Sequence, residues 1–463
     1  MTAQSTTDST AAKPERPRWP RTGGEFLRAV VALGRGLLAR PLASYYLLVA
    51  TTLLLLGTGL VMVYSATSVA QYVESGSTLT SIERQAISAA IGVLAFWLCQ
   101  RLPVRTYRTL ARPGLLLAFA LVIALDILAL LAQAQVLQNP TFGPLRADEL
   151  WLYLGPLQVQ PSELAKVALV VWVADVLVRK AERAGAWRDL SRPLFPVVGL
   201  LLVLVGYNDL GTMVSLFVMF VGVLWAAGVR LRIFVAMSVV VALAVVTLIV
   251  LPGNEYRLAR INAFTNPELY QQSDAYQVHQ GLSALAGGGW FGVGLGEGRL
   301  KWGWLPNGHN DFIFAVIAEE LGVVGCLVVL ILFGVLAYTG LRIAQRCTNP
   351  YRRLVAAGIT ALVAGQATIN IAGVVGLMPV TGLPLPLISD GGSALVVTLA
   401  MIGMLASFAR AEPEAARALH ARPPGRVGRL LWAPLPPVPI PRSRSRASAG
   451  SQRSTDATGR PDV

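Results

Sequence analysis

A single carboxylate follows a group of cations in one long polar segment of the chain. Asp311 stands where an apolar run begins at Phe312, and Arg257, Arg260 and Lys301 precede it. Clustered cations suit a phosphate or pyrophosphate group, and a helix opening at this point would add the positive end of its dipole. The same cations could equally anchor the segment to lipid headgroups. The residues alone leave both interpretations open.

Other charged residues lie inside apolar runs, where they are costly and are usually functional or paired. Glu163 and Lys166 are spaced to share one helix face, which favours a structural ion pair. Glu319 and Glu320 are interpreted in the same way, as members of an ion pair inside the bundle. Asp209 precedes a further apolar run and is expected to cap that helix.

Alternating glycines occupy the polar segment at Gly292, Gly294, Gly296 and Gly298. A dinucleotide-binding loop would need a preceding strand and a following helix, and neither fits here. Close approach of the backbone to a neighbouring element, or packing on the membrane surface, accounts for the glycines better.

The elements that must position these residues are long apolar runs. The chain has 463 residues, of which 54% are hydrophobic and 14% charged, whereas soluble domains carry about 25% charged residues. Continuous runs of this length exclude a β-barrel and predict an all-α, polytopic integral membrane protein with about ten transmembrane helices. The predicted spans are 45–66, 86–100, 114–134, 162–178, 194–207, 211–228, 232–251, 312–341, 354–376 and 391–409.

The basic residues predict the orientation of these helices. With the N-terminus in the cytoplasm, the inner loops hold 15 Lys and Arg residues and the outer loops hold six. This asymmetry follows the positive-inside rule and places both termini in the cytoplasm and residues 252–311 outside. The six outer cations are Arg84, Arg146, Arg257, Arg260, Arg299 and Lys301.

Composition also divides the chain into a membrane domain and two tails. Residues 1–43 and 411–463 are predicted to be disordered, basic cytoplasmic tails, and 44–410 form the membrane domain. The basic residues of the C-terminal tail would favour anionic membrane lipids. The net charge of +14 does not indicate a nucleic-acid partner, because 35 of the 39 basic residues are arginines, a bias that reflects codon usage before function. The cysteines and histidines show no disulfide or metal-ligand spacing.

A set of short motifs runs in order along roughly residues 45–410. The motifs are MVYSA (62–66), RQ (84–85), LGP (154–156), QPSELAK (160–166), DLGT (209–212), YR (256–257), YQ (276–277) with Gln280, GLG (294–296), LP (305–306), His309 with DFIFA (311–315), EELG (319–322), and TGLPLP (381–386) followed by Ser389 and GGS (391–393). Together they resemble the SEDS family (shape, elongation, division and sporulation), the group of FtsW and RodA. The stretch around Asn310 and residues 333–344 resemble its division branch in the actinobacterial form.

The resemblance implies the SEDS fold and a peptidoglycan glycosyltransferase. Such enzymes polymerise lipid II, an undecaprenyl-pyrophosphate-linked disaccharide pentapeptide, at the outer face of the cytoplasmic membrane. They work with a class B penicillin-binding protein, a transpeptidase, and with other divisome proteins at the septum. The essential aspartate of the family matches Asp311, and its substrate-binding loop residues match Arg257, Gln277, Gln280, His309 and Lys301.

Other functions remain open at this point. An elongation polymerase of the RodA type, a lipid II flippase, and a divisome scaffold without catalysis would share most of these features. A divalent cation could assist at the pyrophosphate, although no ligand cluster requires one.

Several positions depart from the family pattern. Asn307 stands where many members have Glu, and Asn208 replaces a Pro before the DLGT motif. Gly281 replaces a Ser after Gln280. Asp390 and Ala394 are unusual in the last motif. Asp390 is expected to be a harmless, exposed group, because the loop 377–390 is predicted to face water.

Overall fold

The computed structural model confirms a helical bundle. It describes residues 36, 38–76, 78, 80–133, 141–142, 145–148, 150–154, 157–181, 187–250, 258, 261–262, 264–265, 274–299, 302, 305, 308–423, 425–431 and 433–437. Ten long helices in these ranges correspond in position to the ten predicted spans. They are α1 (Ala43–Ser75), α2 (Thr80–Arg101), α3 (Val104–Gln133), α4 (Pro161–Ala181), α5 (Trp187–Asn208), α6 (Leu210–Ala226), α7 (Leu231–Val250), α9 (Ile313–Arg346), α10 (Pro350–Val374) and α11 (Gly392–Arg410).

Seven of these helices are long and apolar enough to cross a membrane by length and composition alone. Two shorter apolar helices, Pro193–Asn208 and Leu210–Ala226, accompany them. The remaining long helix, α4, carries the buried charged residues Glu163, Lys166 and Asp175. The protein is therefore a multi-pass membrane protein, as predicted.

Small residues set the closest helix contacts. Helices α2 and α11 pack together most extensively. A Cβ on Gly403 would lie 2.4 Å from the Phe96 carbonyl oxygen, and one on Gly92 would lie 2.5 Å from Leu399 Cδ1. Close backbone approach at glycines is the usual means of helix association in lipid, where apolar burial alone gives little driving force.

The helical bundle also carries one small sheet that the sequence did not indicate. A four-stranded antiparallel meander lies between α3 and α4, with strands β1 (Thr141–Phe142), β2 (Leu145–Asp148), β3 (Trp151–Leu154) and β4 (Leu157–Val159). Ala147 and Leu152 of the sheet pack with Leu125 and Leu128 of α3. Strands of two to four residues leave no clear alternation in the sequence, so only the folded chain identifies them.

The C-terminal boundary is also different from the prediction. Helices α12 (Pro413–Ala421) and α13 (Arg426–Leu431) lie in the segment predicted to be disordered from residue 411. Ala415 and Ala416 of α12 are buried, and Arg410 donates to the Ala433 carbonyl oxygen at 3.3 Å. The proline-rich composition of this segment gave no indication that part of it packs against the bundle. The parts of the two predicted tails that span 1–35 and 438–463 lie outside the described residues.

Candidate functional site

Asp311 lies in a turn immediately before α9. The helix begins at Ile313, and Phe312 occupies its N-cap position, where the ring makes no capping hydrogen bond. Asp311 therefore precedes the N-cap residue of this helix. Asp311 is half-buried. The side chains from Phe312 to Glu320 that follow it are buried in the bundle.

Three successive backbone carbonyl groups fix this turn. The His309 carbonyl oxygen accepts from the Asp390 N–H at 3.0 Å, and that of Asn310 accepts from the Ser389 hydroxyl at 2.7 Å. The Asp311 carbonyl oxygen accepts from the Asn370 side-chain amide at 2.8 Å. The backbone that carries Asp311 is thus held from two separate elements, and such support preorganises a reactive side chain.

Asn370 and Ser389 also make hydrogen bonds within the loop between α10 and α11. Asn370 donates a second bond to the Leu383 carbonyl oxygen at 2.7 Å, and Ser389 Oγ accepts from the Leu385 N–H at 2.8 Å. Neither Asn370 nor Ser389 received a role from the sequence. The available signal was a lone Asn in the apolar run of α10 and a Ser in a recognised motif.

The loop between α10 and α11 is largely buried, so the prediction that it faces water is wrong. Leu383, Leu385, Leu387 and Ile388 are all buried. Leu387 adopts a left-handed φ of 66°, and Gly59 of α1 allows the close approach because a Cβ there would lie 2.6 Å from the Leu387 carbonyl oxygen. The apolar side chains face protein and make the loop part of the core.

Asp390 is half-buried, which corrects its assignment as an exposed group. Burial raises the pKa of its carboxyl, while the nearby charges of His309 and Arg84 act in the opposite direction. Besides its backbone bond to His309, Asp390 therefore brings a second carboxyl near the Asp311 turn. The sequence showed the departure at this position but not its neighbours.

Helix α8 (Asp274–Gly287) brings the predicted glutamines to the same region. A Cβ on Gly281 would lie 3.1 Å from the Phe312 ring, so α8 packs directly against the residue after Asp311. Gln280 is the neighbour of Gly281 in the chain, and Gln277 lies one turn earlier on the same helix face. The departure at Gly281 is explained by this contact, since a larger side chain would displace the ring.

Two predicted cations cannot be placed. Arg257 and Lys301 lie outside the described residues, and their roles stay predictions. Within the described part of the chain, the structure shows a buried polar side chain that has no hydrogen-bond partner there. Gln85 is 1% exposed, and neither of its amide atoms has a partner among the described residues. It lies one turn before Ser88, which touches Gly392 at the start of α11.

The glycine-rich segment makes close backbone contact with a break in α9, which confirms the first interpretation of these glycines. Gly322 has φ 68° and ψ −166°, a conformation essentially restricted to glycine, and it interrupts the helix. A Cβ on Gly292 would lie 2.1 Å from the Glu320 carbonyl oxygen. Only glycines permit the two backbone segments to come this close.

Four backbone hydrogen bonds join the segment to the break. They satisfy polar groups that the interrupted helix leaves without internal partners. The bonds run from Val293 to Glu319, from Gly294 to Glu320, from Val323 to Gly289 and from Val324 to Trp290, with donor–acceptor distances of 2.9, 3.1, 3.0 and 3.2 Å.

Glu320 and Glu319 each accept a hydrogen bond from a neighbouring segment, and the ion pair expected for them stays a prediction. The Ser65 hydroxyl lies 2.7 Å from both carboxylate oxygens of Glu320, and the Arg299 backbone N–H donates to Glu319 Oε1 at 2.8 Å. Both carboxylates therefore fasten neighbouring segments to the helix break. Both residues are buried, about two helical turns after Asp311.

The other intramembrane predictions agree with the structure. Lys166 Nζ lies 2.6 Å from Glu163 Oε1, and both side chains are almost fully buried. Asp209 is the N-cap of α6 and accepts from the Thr212 N–H at 2.8 Å. Asn208, a departure from the family pattern, donates its amide to Asp126 of α3. This bond gives the buried carboxyl of Asp126 a partner.

The described residues contain no group of three or more His, Cys, Asp or Glu side chains that could hold a metal ion. Assistance by a divalent cation therefore stays a prediction. The arrangement at the Asp311 turn offers the carboxyl of Asp311, a second carboxyl at Asp390, an imidazole and several amides. Such a set can bind sugar hydroxyls and accept a proton from one of them.

Comparison with known proteins identifies the family. The family model for the FtsW, RodA and SpoVE cell cycle proteins matches residues 45–414. The chain belongs to this family. The resemblance found in the sequence is thereby confirmed over the whole membrane domain.

Several relatives and solved structures in this family are similar to the chain. It is 42% identical over 401 residues to the "Probable peptidoglycan glycosyltransferase FtsW" of Mycobacterium tuberculosis, over 86% of this chain and 74% of the relative. It is 34% identical over 368 residues to the stage V sporulation protein E of Bacillus subtilis, over 79% of this chain and 96% of the relative.

Solved structures agree with the fold. A chain from a study of the structural coordination of polymerization and crosslinking by a peptidoglycan synthase complex superposes with a TM-score of 0.59 at 27% identity, covering 78% of this chain and 96% of that chain. The rod shape determining protein RodA of Thermus thermophilus gives a TM-score of 0.52 at 28% identity, covering 79% and 96%.

Proposed function

We propose that this protein is a peptidoglycan glycosyltransferase that polymerises lipid II at the outer face of the cytoplasmic membrane, with Asp311 as the general base. The observation that carries the proposal is the Asp311 turn, which three hydrogen bonds hold at the opening of α9. The similarity to mycobacterial relatives named as probable peptidoglycan glycosyltransferases supports it.

The chemistry needs one base and several cations. Asp311 takes the proton from the 4-hydroxyl of the acceptor GlcNAc, and this oxygen attacks the anomeric carbon of the donor MurNAc. The bond from that carbon to the lipid pyrophosphate breaks, and the pyrophosphate leaves with the electron pair as an anion. The anomeric centre is inverted. Since the leaving group is already a good anion, charge neutralisation takes the place of the second carboxylate of a glycosidase.

Each predicted residue then has a role. Arg257 and Lys301 would neutralise the pyrophosphate, and Gln277, Gln280 and His309 would bind the sugars and the peptide-bearing part of the substrate. The fixed backbone at 309–311 supports this assignment because it reduces the reorganisation required when the acceptor binds.

The cellular setting follows from the same family. We propose that the chain acts with a class B penicillin-binding protein and other divisome proteins at the division septum, with both termini in the cytoplasm. The similarity to a chain from a peptidoglycan synthase complex supports a transpeptidase partner. The excess of basic residues in the predicted inner loops supports the orientation.

Reconstitution separates the candidate functions. Purified protein, the cognate transpeptidase and labelled lipid II should give long glycan chains on a gel, and Asp311→Asn should abolish them. Translocation of lipid II across a vesicle without polymer would instead indicate a flippase. Neither activity, with the transpeptidase still bound, would indicate a scaffold.

A further inference from the structure

A basic cavity lies at the opposite end of the bundle from Asp311. Its volume is about 420 Å³, and it is lined by Val104, Arg105, Arg108, Thr109 and Arg179. The first four residues open α3 and the last lies near the end of α4, on the face that the positive-inside rule assigns to the cytoplasm. Three of the five lining side chains are therefore guanidinium groups.

A buried carboxylate orients two of these arginines. Asp175 is 1% exposed, and its Oδ1 accepts from Arg108 Nε at 2.8 Å while its Oδ2 accepts from Arg179 Nε at 2.7 Å. The Arg108 guanidinium also lies over the Tyr351 ring, 5.9 Å from the centroid. Because a guanidinium carries five N–H donors, bonds through Nε leave the terminal nitrogens for a ligand in the cavity.

The charge of the cluster is not balanced. Asp175 is the carboxylate that pairs with Arg108 and Arg179, and Arg105 has no acidic partner among the described residues. The three guanidinium groups that line the cavity therefore carry two positive charges more than the single carboxylate balances. The opening of α3 at Val104 adds a positive dipole end to the same cavity.

The cavity lies at the ends of two helices, where lipid headgroups are expected. Arg105 and Arg108 lie within the first turn and a half of α3, about 6 Å along its axis, and Arg179 lies in the last turn of α4. A cavity of about 300–1,000 Å³ is typical of small-ligand sites. Basic pockets between transmembrane helices on the cytoplasmic side are suited to anionic lipid headgroups.

We infer that this cavity binds the phosphate headgroup of an anionic lipid from the cytoplasmic leaflet. The terminal nitrogens of Arg108 and Arg179 supply oriented donors to the phosphate oxygens, and Arg105 supplies further charge. A phospholipid of the bilayer and an undecaprenyl pyrophosphate share this chemistry. The site lies apart from the Asp311 turn and does not depend on the proposed reaction.

Native mass spectrometry of the full chain tests this inference, with cardiolipin as the probe. Arg105→Gln is the informative variant, because Arg105 lines the cavity without pairing to Asp175 and its loss should leave the fold intact. The matched control is Arg232→Gln, an exposed arginine at the start of α7 on the same face. Thermal unfolding of each variant checks that the fold is retained.

Cardiolipin should bind the unaltered chain and Arg232→Gln equally and bind Arg105→Gln about tenfold more weakly, the effect of losing one charged hydrogen bond. Arg105→Lys should recover part of the loss. Phosphatidylcholine should not compete. Equal cardiolipin binding by all variants, or equal competition by phosphatidylcholine, would overturn the inference.

A competition arm distinguishes the two lipid sources. Undecaprenyl pyrophosphate is added to the cardiolipin-bound chain and to Arg105→Gln. Displacement at concentrations well below those of added cardiolipin assigns the site to the polyprenyl pyrophosphate, and displacement only at higher concentrations assigns it to bilayer phospholipid. Failure of either lipid to bind in an Arg105-dependent manner contradicts the site itself.

Discussion

At the scale of single residues, Asp311 carries the chemistry of the proposed reaction. Asp311→Asn keeps the size and most hydrogen bonds of the side chain but removes its basic character. Polymerisation by the purified complex should fall by roughly 100-fold or more, because a positioned base contributes a factor of this order. The gel assay for glycan chains measures this loss.

Asp148→Asn is a suitable control. Asp148 lies in the small sheet that follows α3, and its side chain is more than half exposed. It should leave polymerisation unchanged. Near-normal synthesis by folded Asp311→Asn would remove the general-base assignment.

Asn370 tests whether the fixed turn matters. In Asn370→Ala the buried carbonyl oxygens of Asp311 and Leu383 lose their donor, at about 1–3 kcal/mol for each unsatisfied group. The variant should unfold at a lower temperature and polymerise more slowly. Thr368→Ala, at an exposed position of the same helix, should do neither. An unchanged turnover in Asn370→Ala would mean that the two hydrogen bonds from Asn370 serve stability alone.

Asp390 should give the stability a dependence on pH. Its folded pKa is raised by burial, so the folded state takes up a proton more readily than the unfolded chain. Its contribution to stability is therefore present below the unfolded pKa of about 3.9 and is lost as pH rises through the folded pKa. Asp390→Asn should flatten this part of the profile and be more stable at pH 7. Melting temperatures across acidic and neutral pH measure the difference, and parallel profiles for the two proteins would contradict it.

At the scale of elements, the break in α9 depends on Gly322. Gly322→Ala would place a Cβ 2.4 Å from the Gly292 nitrogen, and the left-handed backbone itself costs about 1–3 kcal/mol for other residues. We expect a lower melting temperature and faster trypsin cleavage at exposed Arg299, because the glycine-rich segment would leave the helix.

Gly334→Ala provides the matched control in the same helix. No atom lies within 4 Å of a Cβ at Gly334, and its backbone is helical. This substitution should be neutral or slightly stabilising. Equal protease sensitivity of the two variants would argue against the glycine-rich contact as the reason for the break.

The sequence predicted the helices well because each one is a continuous apolar run, and it predicted the Glu163–Lys166 pair and the Asp209 cap because both depend on local spacing. The Gly322 break was hidden within the apolar run 312–341. The burial of Asp390 was equally hidden, because its backbone N–H bonds to His309, which is distant in the chain, and the loop that carries it packs into the core. Such features depend on tertiary packing, which local pattern does not specify.

At the scale of the whole molecule, the two faces of the bundle carry different chemistry. The Asp311 turn lies at one end and the arginine cavity at the other. Which end faces outward is testable with Gly287, an exposed position where a Cβ would meet nothing within 4 Å. Gly287→Cys should react with a membrane-impermeant maleimide in intact cells, in a background where half-buried Cys99 is replaced.

Gly425 serves as the partner position, since it is exposed and unobstructed near the C-terminus. Gly425→Cys should react only after lysis. The reverse pattern would invert the topology and move the proposed reaction to the cytoplasm.

The four bonds between the glycine-rich segment and α9 also restrict how a lipid-linked sugar can arrive. Lifting the segment would leave both sides of each bond unsatisfied, at about 1–3 kcal/mol for every group that stays buried. The segment is therefore fixed against the break in α9. We expect the substrate to enter laterally from the outer leaflet, between helices, while its long polyprenyl chain remains in the bilayer.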